Sequence, residues 1–235
     1  MSRALRVGGM VPLTTLDYPG LLACVLFCQG CAWRCRYCHN PDLIPARSEQ
    51  EIPWPQVLEF LRRRQGLLQA VVFSGGEATL QGGLVPAMDE ARGLGYRIGL
   101  HSAGIKPWAF AWALKAVDWV GFDIKALAED AELITGVSGS GKANWRSLEH
   151  LLASGVNYEC RTTVHWHLMD VDKLWRIGQR LHAFGVKHFA VQLVRSAHML
   201  DAALPITATP SEAGEAGELW LRLEQLFPAF ELRGH

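Results

Sequence analysis

Residues 54–74 read WPQVLEFLRRRQGLLQAVVFS. Trp54, Val57, Leu58 and Leu61 recur at i, i+3, i+4 and i+7, one apolar face of a helix over Trp54–Arg64. The run that follows, 69–74, is apolar almost continuously rather than alternately, the pattern of a strand covered on both faces. A helix feeding such a strand belongs to a parallel sheet with helical crossovers. The alternation extends in both directions. Short apolar runs at 22–28, 96–101, 119–124, 158–164 and 187–193 read as further strands; 83–92, 107–116, 145–153, 171–184 and 211–226 read as helices. Repeated βα units with right-handed crossovers imply a doubly wound sheet or a barrel, complete or partial, with its chemistry at the C-terminal ends of the strands. Residues 1–20 read as a turn-rich lead ending in Asp17-Tyr18-Pro19-Gly20, and 202–217 are rich in Pro, Thr, Ala and Gly. The expected organisation is one domain over 1–235, with the repeated units at about 20–193 and a C-terminal helical extension at 194–235.

Composition narrows the function classes. With 235 residues and 49% hydrophobic, the chain can bury a sizeable core, which excludes disorder and mini-protein scaffolds. Lys plus Arg equals Asp plus Glu at 23 each, so no net field recruits nucleic acid or anionic lipid, and Arg62-Arg63-Arg64 is too short to do so alone. No apolar run approaches the roughly 18 residues of a membrane span, and the opening MSRALRVGGMVPL lacks a signal peptide's long apolar stretch. A cytoplasmic protein with no nucleic-acid or membrane partner is expected.

Five of the six cysteines, Cys24, Cys28, Cys31, Cys35 and Cys38, crowd together, with Cys160 far off. In a cytosolic chain such crowding points to metal or redox chemistry rather than disulfides. Cys31-x3-Cys35-x2-Cys38 can converge on one small cluster from a single loop. A cubane usually takes four protein thiolates, so three leave one iron open to a substrate or cofactor. Two alternatives stand beside this triad. Adding Cys28 makes a four-thiolate zinc or ferredoxin-like site, although zinc ribbons separate their pairs further and the ferredoxin run is spaced differently. Cys24-x3-Cys28-x2-Cys31 repeats the triad's spacing, but Cys24 and Cys28 fall within a strand, where a free cysteine behaves as a small hydrophobe.

Other candidates close the later strands. Gly75 and Gly76 permit close backbone approach to a ligand, and the Glu77 carboxylate can accept from an ammonium; the bland reading is a strand-to-helix turn. Asp123 and Lys125 share a strand face and form either an anion site or a strand-end ion pair. Arg161 needs a partner if buried, and Glu159 on the same face is one. His165 and His167 are similarly spaced but have no third metal ligand nearby in sequence. Residues 136–143, GVSGSGKA, fit G-x4-G-K but place Ala143 where a magnesium-binding hydroxyl belongs, and they read instead as a flexible loop over the mouth of the sheet.

The string CAWRCRYC at 31–38 resembles the CxxxCxφC signature of the radical S-adenosylmethionine (SAM) enzymes. Taken together, TTLDYPG at 14–20, FCQGCAWRCRYCHNP at 27–41 and FSGGEATLQ at 73–81 are similar to the activating enzymes of glycyl radical proteins, above all the longer form that serves anaerobic ribonucleoside-triphosphate reductase. The resemblance runs from about residue 13 to 193. It implies a partial (β/α)6 TIM-like barrel of parallel strands and a [4Fe-4S] cluster on Cys31, Cys35 and Cys38, with SAM chelating the open iron. It also implies SAM contacts from Gly75, Gly76, Glu77, Ser102, Asp123, Lys125 and Arg161. The implied partners are a glycyl radical enzyme, namely anaerobic ribonucleotide reductase, and a reduced flavodoxin or ferredoxin-type electron donor. Two positions depart from the family pattern: Ala78 replaces a frequent proline, and His101 replaces an aspartate, which removes the carboxylate a bound cation would use. A radical SAM enzyme acting on a small molecule, like the similar deazaguanine-forming enzymes, and a non-enzymatic four-cysteine module are the competing readings.

Overall fold

Eight strands form one sheet whose spatial order follows chain order. In the computed structural model, which describes residues 4–194, 199–205 and 214–234, they are β1 (Val7–Thr14), β2 (Ala23–Cys28), β3 (Ala70–Gly75), β4 (Arg97–Ser102), β5 (Trp119–Asp123), β6 (Asn157–Val164), β7 (His188–Leu193) and β8 (Ala229–Arg233). β1 runs antiparallel to β2, and every later pair is parallel. β1 and β8 remain as two edges, so the barrel is open on one side. Helices α1 (Trp54–Arg64), α2 (Leu84–Gly93), α3 (Pro107–Ala113), α4 (Ala131–Thr135), α5 (Ser140–Ser154), α6 (Val171–Ala183) and α7 (Glu215–Leu226) fill the connections.

The continuous apolar runs have a direct cause: both faces of β2 to β5 are buried. On one face Cys24, Leu26, Val71, Phe73, Ile98 and Leu100 join the main core with helix residues such as Leu61, Met88 and Phe110. On the other, Ala23, Val25, Ala70 and Val72 pack with Tyr18 and Trp119 inside the barrel.

Three expectations need correction. The lead is not all turn, because residues 7–14 form β1. Pro12, which has no N–H to donate, is tolerated on this edge strand beside a register shift between Val11 and Thr14. The C-terminal extension is a helix followed by β8, a further parallel strand on β7. The helix expected from 211 is described from Glu215 onward; 211–213 lie outside the described residues. Finally, GVSGSGKA is not a flexible loop over the mouth. It is a short turn leading into α5, with Ser140, Gly141 and Asn144 buried. A Cβ on Gly141 would collide with the Ala128 backbone, so only glycine lets this helix start approach so closely.

Candidate functional site

The cysteine loop is held on three sides. At its start the buried Gln29 side chain donates to the carbonyls of Asp42 and Pro45 at 2.9 and 2.7 Å, and Cys31 N–H donates to Ile44 O. On a second side, the N–H groups of Arg34 and Arg36 donate to the C-terminal carbonyls of Thr135 and Ile134 on α4, at 2.8 and 2.9 Å. On the third, the 199–205 segment crosses the loop: Leu200 and Asp201 N–H donate to Cys38 O and Arg36 O, and Arg36 Nε donates to Asp201 at 2.8 Å.

Held this way, Cys31, Cys35 and Cys38 line one cavity of about 300 Å³ at the C-terminal ends of the strands. Cys24 and Cys28 do not line it; they belong to β2 and are fully buried in the main core. Burial pushes the Cys31 thiol up to about 12 and raises Cys35 as well, so a metal must displace a proton to bind there.

The Gly75-Gly76-Glu77 turn forms the next wall. Gly75 has φ +114°, and a Cβ there would strike the Cys28 backbone; one on Gly76 would come within 2.5 Å of Gly30 O. The two glycines therefore let this turn lie against the cysteine loop, where Gly76 and Glu77 N–H donate to Cys28 O and Gly30 O at 2.9 Å. The buried Glu77 carboxylate accepts through Oε1 from Thr79 Oγ1 (2.6 Å), Thr79 N–H (3.2 Å) and Ser102 Oγ (2.8 Å). Its Oε2 accepts, among the described residues, only from Ala103 N–H, at 3.0 Å. Burial raises its pKa, and these hydrogen bonds offset part of that rise. Ser102 thus touches Glu77 directly, and Thr79 is a partner the sequence reading passed over.

Across the cavity, Lys125 Nζ donates to Asp123 Oδ2 at 3.0 Å. Burial pushes the Asp123 carboxyl up, but Lys125 and Arg161 outweigh it and hold the group below its usual range. The Lys125 ammonium is held well above its usual value by Asp123 against the cost of burial. Asn144 organises this corner from α5. Its Nδ2 donates to Ala103 O and Asp123 O at 2.8 Å, and its Oδ1 accepts from Lys125 N–H. Asn144 lies four residues beyond the helix start that the sequence disguised as a phosphate loop.

Arg161 is buried; it pairs with Glu159 through Nε at 2.9 Å, and it also lines the cavity. His101 lines the same cavity, held neutral by burial and by the Arg161 guanidinium, with its pKa lowered to about 3. His165 is buried and accepts from His167 N–H through Nδ1. Among the described residues no three His, Cys, Asp or Glu groups are placed to hold a single metal ion. A larger cavity, about 900 Å³, opens at the opposite end beside Trp119, Tyr158, His188 and Phe230. It lies at the N-terminal ends of the strands and no candidate site residue lines it, although Glu159 and Trp119, which touch Arg161, border it; its size does not make it the site.

Three cysteines and a buried carboxylate at the C-terminal mouth of an open parallel barrel define a class in which a cluster and a charged cofactor meet. Residues 25–188 match the family model of the Radical SAM superfamily, and the chain belongs to that superfamily. Radical SAM enzymes use a [4Fe-4S] cluster and SAM. The chain is similar, at 26% identity over 74% of each sequence, to a Methanocaldococcus jannaschii protein described as a glycyl-radical enzyme activating enzyme. It is 32% identical to the pyruvate formate-lyase-activating enzyme of Clostridium pasteurianum over 58% of this chain and 59% of that one. Among solved structures, QueE from Escherichia coli matches with a TM-score of 0.61, covering 98% of this chain and 94% of that one at 15% identity, which is a likeness of fold. No helix of the described residues is long and apolar enough to cross a membrane.

Proposed function

We propose that the protein is an activating enzyme that cleaves SAM reductively and generates a glycyl radical on a partner, anaerobic ribonucleoside-triphosphate reductase. One observation carries this reading. Cys31, Cys35, Cys38, Gly75, Gly76, Glu77, Ser102, Asp123, Lys125 and Arg161, separated by up to 130 positions, line a single cavity. The donor set suits the cofactors by charge and type. Three thiols match a cluster with one open iron, the Glu77 Oε2 side can accept from the SAM ammonium, and Lys125 and Arg161 offer donors to its carboxylate. Cys28, a buried residue at the end of β2, does not line this cavity, an observation that supports a three-thiolate site over a four-thiolate zinc or ferredoxin-like one.

When bound, the cluster and SAM supply the one-electron cleavage that yields methionine and a 5′-deoxyadenosyl radical able to take hydrogen from a glycine. The chain's part is to fix SAM's charged end through Glu77, Lys125 and Arg161 and to keep the cysteine loop rigid through α4 and the 199–205 segment. The open side between β1 and β8 favours a chain segment of a partner protein over a small enclosed substrate. Activation of a glycyl radical enzyme is supported by the names of the archaeal and clostridial relatives; the choice of ribonucleotide reductase rests on the three sequence segments quoted above. A reduced flavodoxin or ferredoxin-type donor and a cytoplasmic location complete the proposal.

The test is anaerobic: reconstituted, reduced protein with SAM is incubated with anaerobic ribonucleotide reductase or, separately, pyruvate formate-lyase. Paramagnetic resonance follows the glycyl radical, and chromatography follows 5′-deoxyadenosine. A radical on the reductase supports the full proposal. A radical on pyruvate formate-lyase alone removes the partner assignment and leaves the activase, whereas 5′-deoxyadenosine with no protein radical favours a small-molecule substrate.

A further inference from the structure

Inside the barrel a line of polar side chains crosses the sheet beneath the cavity. Glu159 on β6 accepts from Arg161 Nε at 2.9 Å and, on both oxygens, from Arg233 of β8 at 2.8 and 2.7 Å. Arg233 also pairs with Glu231. At the other end, Arg161 Nη2 lies 3.0 Å from His101 Nε2 of β4, which accepts from it when the ring proton is on Nδ1. The Arg161 guanidinium lies 5.2 Å from the centre of the Trp119 ring, which supports one face of it. The strands between carry small residues at this level, Gly121 on β5 and Ala190 on β7, and register places them beside His101, Glu159 and Arg161. A Cβ on Gly121 would collide with the guanidinium and come within 2.9 Å of the His101 ring.

Arg161 is therefore committed on three sides: Nε to Glu159, Nη2 to His101, one face to Trp119. Its Nη1 donates to no protein group among the described residues, and Arg161 lines the cavity. His101 suits an acceptor's role because it is neutral. The Asp17 carbonyl, which can only accept, also lies 3.0 Å from Nε2, so two contacts compete for this nitrogen: with the ring proton on Nδ1, 4.0 Å from the Asp17 carboxylate, Nε2 accepts the charge-assisted bond from Arg161, and with the proton on Nε2 it donates to Asp17 O instead.

We propose that His101 and Arg233 are positioning residues that act through Arg161, holding its guanidinium so that its free edge meets the carboxylate of bound SAM. This rests on the SAM reading above and extends it to β8, a strand that contributes no lining residue of its own to the cavity. A guanidinium locked on three sides loses little rotamer freedom when the anion arrives, and this is how positioning strengthens binding.

The test compares binding of SAM with binding of decarboxylated SAM, which keeps the sulfonium, nucleoside and amine and lacks only the carboxylate. Equilibrium dialysis uses the reconstituted holoenzyme, with circular dichroism and cluster absorbance reporting fold and loading. His101→Leu, Arg233→Met and Arg161→Ala are each expected to weaken SAM binding about tenfold, with decarboxylated SAM changed by no more than about twofold. His101→Gln, which keeps an acceptor, should recover most of the loss. In the Arg161→Ala background His101→Leu should add nothing. Equal losses for both ligands, or additive effects of His101→Leu and Arg161→Ala, would overturn the positioning role. Failure of the wild-type holoenzyme to bind SAM would instead overturn the SAM reading, and this inference with it.

Discussion

Gly121→Ala is the substitution that most directly tests the packing of the charged layer. Gly121 does not need a positive φ, so alanine fits its backbone; the obstacle is the Arg161 guanidinium, with the His101 ring 2.9 Å from the new methyl. The guanidinium is the far end of a flexible side chain, so it is expected to move rather than force β5 apart. Movement sacrifices the charge-assisted bond to Glu159 or the bond to His101, and the contact with Trp119. A bond to a charged group is worth about 1.5–3 kcal/mol, and losing its glycine stiffens the unfolded chain enough to return about 0.4–1 kcal/mol. The net expectation is a destabilisation of about 2 kcal/mol, read by denaturant unfolding of the metal-free protein. In an Arg161→Ala background the obstacle is gone, and Gly121→Ala should be neutral within about 0.5 kcal/mol or slightly stabilising. An equal cost in both backgrounds would show that the backbone, not the guanidinium, is the obstacle, and the reasoning would fail.

Two further expectations concern the core and the strand starts. Cys28→Ser places a hydroxyl in the apolar core and should cost about 1–3 kcal/mol, yet keep iron content and cluster absorbance near wild type, whereas Cys31→Ser should lose both; loss in Cys28→Ser would restore the four-thiolate reading. Asp118 accepts from Ile98 N–H at 2.7 Å and pairs with Arg92 and Arg97. Burial pushes this carboxyl up, but those partners outweigh it and hold it below its usual value. Its stabilisation is therefore present above the unfolded pKa and lost as pH falls through the lower folded one. Asp118→Asn should cost about 1 kcal/mol at pH 7, and the gap to wild type should close as unfolding is repeated toward pH 3; a gap that stays constant with pH would rule out the ionic contribution.

How much of this was legible in the sequence depended on whether the signal was local. Strands β2 to β5 announce themselves because burial on both faces demands continuous apolar runs, and α1 because its apolar face repeats over about three turns. β1 and β8 do not. β1 carries Gly8, Gly9 and Pro12, tolerable only because it is an edge, and β8 alternates Phe230 and Leu232 with Glu231 and Arg233, which pair with each other while Arg233 also reaches Glu159 on β6. The cysteine triad and the Gly-Gly-Glu turn were readable from spacing, since a short loop must bring its own residues together.

By itself, then, the sequence determined the alternating parallel architecture, the crowded cysteine loop and the charge types at the ends of the strands. Only the tertiary structure decided which cysteines face the cavity, that Asn144 ties two strand ends together, and that Arg161 is held between His101 and Glu159, with Arg233 behind. The physical reason is distance along the chain. A periodic pattern or tight loop is written in neighbouring residues, whereas a hydrogen bond between positions 101 and 161, or 159 and 233, exists only once the barrel has curled and Gly121 has left the space for it.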